Sequence, residues 1–83
     1  MEVARVSGKQ DQERHLARLG EAIRALRLSM GTSQEALADT AGIDRSHMGK
    51  IERGERNVTQ LNLTRIAAAL DRKPSEILAS AGL

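Results

Sequence analysis

Residue types able to perform covalent chemistry are scarce in this sequence of 83 residues. There are two histidines, His15 and His47, and no cysteine. No Ser/His/Asp constellation, glycine-rich phosphate loop or metal-spaced cluster can be traced. An enzyme is therefore not expected, and neither is a metal or a cofactor. What the chain does concentrate is a run of hydrogen-bonding and cationic groups: Arg45-Ser46-His47, then Lys50, Arg53, Arg56 and Asn57. A helix laid in the DNA major groove reads base edges mainly through its N-terminal half, and Arg suits guanine O6 and N7 bidentately. Lys50 lies about one and a half turns beyond Arg45, within reach of a base or a phosphate. Ser46 and His47 suit a base edge or a phosphate, while the plainer reading of His47 is a half-covered ring over a turn. For Arg45 the plainer reading is a solvated surface charge. Only Glu52 and Glu55 oppose the cations of this stretch.

The elements that must hold these groups read as helices. Ala, Leu, Arg, Glu and Ile are abundant, the only proline is Pro74, and Phe, Tyr and Trp are absent. Lack of aromatics argues against an all-β fold and against single-strand or RNA binding by base stacking. Residues 1–10 have no usable period and read as a flexible tail, whose Arg5 and Lys9 form a potential basic arm. The folded domain is expected over 11–83. A first helix is expected from an N-cap at Asp11, with Leu16, Leu19, Ile23, Leu26 and Met30 as its buried stripe and Gly31 as its left-handed end. Ser33 caps a second, two-turn helix that carries Gln34 and Glu35 in its first turn and Leu37, Ala38 and Ala41 inward. Gly42-Ile43-Asp44 is a tight turn, and Asp44 caps a third helix over about Arg45 to Arg53, ended by Gly54. Helix, glycine turn, helix with almost no linker is the helix-turn-helix unit. Thr59 is a cap candidate for a fourth helix with Leu63, Ile66, Ala67 and Leu70 inward. Pro74 opens a fifth, to about Ser80, with Ile77 and Leu78. The fold class is thus all-α, a five-helix bundle around a central helix-turn-helix.

The formal charge is only +2, from 13 basic and 11 acidic residues. That is too mild to imply a nucleic-acid partner by itself, so the local distribution carries the argument. No apolar run approaches the roughly 20 residues of a membrane helix, and Met1 to Gln10 has no signal-peptide core. A soluble, cytoplasmic protein without a membrane partner is the expectation.

From Leu19 to Leu78 the chain resembles the phage-repressor (Cro/C1, Xre-like) family, a lambda-repressor-like DNA-binding fold. The resemblance is carried by Ser33-Gln34-Glu35-Ala36-Leu37-Ala38, Ala41-Gly42-Ile43 and Ile51-Glu52-Arg53-Gly54. A narrower resemblance, through Asp44-Arg45-Ser46-His47-Met48 and Ile51-Glu52-Arg53-Gly54-Glu55-Arg56-Asn57-Val58, is to controller proteins of restriction–modification systems, which often carry Tyr where this chain has His47. These likenesses imply a transcriptional regulator that binds double-stranded operator DNA as a homodimer and regulates its own gene. Arg45, Ser46, His47 and Lys50 would meet bases, and Gln34, Arg53, Arg56, Asn57 and Thr59 phosphates, although capping is the safer reading of Thr59. Arg27 and Glu52 match a structural ion pair of the family.

A single unit covers few base pairs, so a twofold dimer with recognition helices about 34 Å apart is expected. Ile77, Leu78 and Leu83 exceed what so small a core needs and are assigned to the dimer interface. Operator occupancy would repress by blocking RNA polymerase or activate by touching it, with Glu21 or Glu35 as contact candidates. The alternative is an antitoxin-type, phage or chromosomal helix-turn-helix repressor that also binds a protein partner.

Overall fold

The computed structural model describes residues 14–83. Five helices follow one another: α1 (His15–Ser29), α2 (Gln34–Ala41), α3 (Arg45–Glu52), α4 (Gln60–Ala69) and α5 (Pro74–Ser80). No strand occurs among the described residues.

Local chemistry sets the starts of α2, α3 and α4. The Ser33 hydroxyl accepts from Ala36 N at 3.0 Å, the Asp44 carboxylate from His47 N at 3.3 Å, and the Thr59 hydroxyl from Asn62 N at 3.0 Å. Each satisfies one of the N–H groups that a helix start leaves unpaired. Pro74 opens α5, where a missing N–H costs nothing, and Glu76 accepts from Lys73 N at 2.9 Å. Between α2 and α3 Gly42 adopts φ +70°, a conformation only glycine takes freely. Ile43 N then donates back to Ala38 O at 2.9 Å, closing the end of α2 and burying Ile43.

The core draws on every helix. Ile23, Leu37, Met48, Ile51, Ile66, Leu70 and Ile77 are fully buried. Each such side chain stabilises the fold by about 1.5–3 kcal/mol over its exposed state. Around them, α1 packs on α3 and α5, and α2 packs on α3 and α4.

Three sequence expectations are corrected here. The first helix begins at His15, behind Arg14 in the left-handed conformation (φ 61°), and not behind a cap at Asp11. Asp11, and the tail with Arg5 and Lys9, lie outside the described residues. The inner face of α1 is Leu19, Gly20, Ala22, Ile23 and Arg27, with Leu26 half-buried against the core; Met30 is exposed because the helix ends at Ser29 and the chain turns away. Ile77 is fully buried in the protomer's own core, so it has no surface to offer a second copy. Leu78 is half-buried against that core, and Leu83 remains exposed.

Candidate nucleic-acid interface

Two glycines let α1 and the end of α3 approach within backbone contact. A Cβ on Gly20 would collide with the carbonyl oxygens of Ile51 and Glu52, and one on Gly54 would lie 2.7 Å from the Cα of Ala17. The end of α3 is therefore pressed against α1 along its own carbonyl row. That contact fixes α3 against α1.

Side chains lock the same junction. Arg27 donates from Nε to Glu52 Oε2 at 2.8 Å and from Nη2 to Glu52 Oε1 at 3.0 Å. These side chains are only 9% and 2% exposed. The third donor of Arg27, Nη1, reaches Thr32 O at 3.0 Å and ties in the loop before α2. Gln34 Nε2 completes the set by donating to Glu52 Oε1 at 3.1 Å. The hydrogen bond to Glu52 holds the Arg27 pKa above its ordinary value, outweighing desolvation. No buried side-chain nitrogen or oxygen among the described residues lacks a partner, as burial of polar groups demands.

With α3 fixed in this way, its outer face carries the groups expected to meet DNA. Arg45 and Ser46 are exposed at its capped start, and His47 and Lys50 are half-buried. Arg53, Arg56, Asn57 and Thr59 are exposed just beyond its end. Thr59 spends its acceptor on capping α4, leaving the hydroxyl hydrogen to donate. Gln34 is half-buried, with its amide already committed once to Glu52.

Gly49 of α3 is buried. A Cβ there would lie 3.1 Å from Arg53 Nη1 and 3.3 Å from Gln34 Oε1. It is the gap across which the start of α2 and the end of α3 bring Gln34 and Arg53 to one place. Sequence reading also missed the pairing of surface charges. Arg45 Nη1 lies 3.8 Å from Glu35 Oε2, and Arg53 Nε donates to Glu55 Oε2 at 2.6 Å. The short separation of Arg53 and Glu55 is a signal for the second pair; the first crosses from α3 to α2 and has no local trace. Gly20 was legible only as a costly residue inside a helix.

A tight glycine turn between two short capped helices, the second exposing Arg and Ser at its start, defines a helix-turn-helix DNA-binding domain. A family model of helix-turn-helix domains matches residues 23–77. The chain belongs to that family, in its Xre/Cro-C1-like branch, and is a DNA-binding transcription regulator. It is 40% identical over 65 residues to the control protein C.SmaI of Serratia marcescens, covering 78% of this chain and 77% of that one. It is likewise 40% identical over 60 residues to the control protein C.BamHI of Bacillus amyloliquefaciens, covering 71% and 74%. Among solved structures it is similar to the restriction-modification controller protein C.AhdI from Aeromonas hydrophila. That match has a TM-score of 0.74 and 47% identity, over 75% of this chain and 94% of that one.

Proposed function

We propose that this protein is a restriction–modification controller, a cytoplasmic homodimer that binds operator DNA upstream of its own gene and regulates it. The observation that carries the DNA side of this reading is the start of α3. There Asp44 caps the helix while Arg45 and Ser46 stand exposed, in the position from which a major-groove helix reads bases. In this reading Arg45 bonds guanine, Ser46, His47 and Lys50 meet neighbouring base edges, and Gln34, Arg53, Arg56, Asn57 and Thr59 hold phosphates on either side. The controller assignment is supported by the likeness to C.SmaI, C.BamHI and C.AhdI over most of their lengths.

Dimer formation falls to the apolar surface that the protomer leaves uncovered near its C-terminus, Leu83 with the outer side of Leu78. Two recognition helices then sit about 34 Å apart, one operator half-site each. An occupied operator acts on transcription by excluding RNA polymerase or by contacting it.

The test is an electrophoretic shift with DNA from upstream of the gene against scrambled duplex, at physiological salt. Nanomolar binding to the upstream DNA in dimer steps is expected. Arg45→Ala should cost about 1–3 kcal/mol at one operator position and relax preference there. Equal, weak binding to both duplexes would defeat the operator-binding reading.

A further inference from the structure

Glu55 stands inside the cationic face. Its Oε2 accepts from Arg53 Nε at 2.6 Å, with a longer 3.5 Å approach of Arg53 Nη2 to Oε1. Its backbone N donates to Lys50 O at 2.9 Å, which anchors the residue against the end of α3. The hydrogen bond from Arg53, reinforced by the charges of Lys50 and Arg56, holds its carboxyl below the ordinary carboxylate range. Those three cations are the ones assigned above to bases and backbone. A carboxylate accepting from a guanidinium uses the same donors, in the same fork geometry, as a phosphate oxygen pair.

We propose that Glu55 is an internal stand-in for a DNA phosphate: in the free protein it occupies the guanidinium of Arg53, and duplex DNA binds by displacing it. The proposal rests on the DNA-binding reading of this face. Its consequence is a reduced electrostatic affinity for duplex of any sequence, since phosphate contacts supply nearly all non-specific binding. The protein is thereby kept from sequestration on bulk DNA. The Arg72–Glu76 pair, which joins the residue before the cap of α5 to its first turn at 3.8 Å, offers a matched charge outside the residues assigned to DNA.

The experiment compares wild type, Glu55→Gln and Glu76→Gln, each checked for helical content, on scrambled and upstream duplexes between 50 and 200 mM salt. Glu55→Gln is expected to bind both duplexes about 2- to 5-fold more tightly, the scale of one exposed ion pair. Because salt screens the exposed Arg53–Glu55 pair, the gain should shrink toward 200 mM, making the slope of log K against log salt somewhat steeper than the wild type's. Glu76→Gln should change neither. Weaker binding by Glu55→Gln would mean that Glu55 positions Arg53 for a phosphate, and the proposal falls. Equal gains in both variants would reduce the effect to net charge, and it falls again. Unchanged affinity in Glu55→Gln overturns it while leaving the DNA-binding reading intact. Absence of any duplex binding by wild type removes that reading and this proposal with it.

Discussion

The Gln34 carboxamide donates to Glu52 Oε1 at 3.1 Å, so the first residue of α2 is bonded to the last residue of α3. Through Glu52 it is linked to Arg27 on α1, and through Arg27 to Thr32 O. One carboxylate thus joins three helices and a loop. A group expected to hold a phosphate is oriented by a buried ion pair and not by solvent.

Removing one member of that pair leaves the other buried without a counter-charge. Arg27→Ala is expected to destabilise the fold by about 3–5 kcal/mol, read as a lowered denaturant midpoint in chemical unfolding. Replacing both partners together, Arg27→Met with Glu52→Leu, should recover most of that loss, because no charge is then stranded. An Arg27→Ala protein of unchanged stability and DNA affinity would show that the pair holds nothing.

Gly20 sets two effects against each other. Inside a helix, alanine is favoured over glycine by about 1 kcal/mol. At this position the added methyl meets the carbonyl oxygens of Ile51 and Glu52, which are backbone and cannot swing aside. Overpacking of this kind costs about 1–3 kcal/mol, so Gly20→Ala should lower stability despite its better propensity. It should also weaken operator binding, since α3 must shift to relieve the contact. Thermal unfolding beside a binding titration separates the two losses; a raised melting temperature would mean that α1 and α3 part easily.

Features that depend on a few neighbouring residues were legible in the sequence. Ser33, Asp44, Thr59 and Pro74 announce helix starts because their chemistry acts within one turn, and Gly42 announces the tight turn because only its backbone fits. The polar run from Arg45 to Asn57 marked one face for the same reason. What escaped depends on tertiary neighbours. Periodicity placed Met30 inward, yet the inward position at that end of α1 belongs to Arg27, which only its meeting with Glu52 makes tolerable. Nothing local marks Gly49 as buried; the side chains of Gln34 and Arg53 lie across it. Ile77 and Leu78 are adjacent and chemically alike, and only the packing of α5 on α1 and α4 decides which is enclosed.

The Arg53–Glu55 pair carries a pH signature with a definite sign. Glu55 is depressed below its usual carboxylate pKa, first by the Arg53 hydrogen bond. A group depressed on folding contributes stability above its unfolded pKa and loses it as pH falls through the folded one. The pair should therefore persist through neutral pH and open only in acid, below the ordinary carboxylate midpoint of 4.5. Following the Glu55 carboxyl carbon by NMR should give a midpoint under that value in the wild type. In Arg53→Ala the midpoint should move up toward it. Identical midpoints in the two proteins would show that the pair is absent in solution.

Ile77 and Leu83 belong to one short C-terminal stretch but should fail in different ways. Ile77 is wholly enclosed, and trimming it to Ala removes core contacts and leaves a cavity, at about 2–5 kcal/mol. That loss is intrinsic to the protomer and should not depend on protein concentration. Leu83 is 45% exposed, so Leu83→Ala should change protomer stability little, in keeping with substitutions at the surface. If the C-terminal apolar surface joins two copies, Leu83→Ala should raise the dimer dissociation constant in sedimentation equilibrium and reduce cooperative operator binding. Because dimerisation stabilises the folded state by mass action, its melting temperature should also lose its dependence on concentration. A Leu83→Ala protein that sediments as the wild type does would exclude this surface and send the search for the dimer contact to the exposed Leu28, Met30 and Leu61.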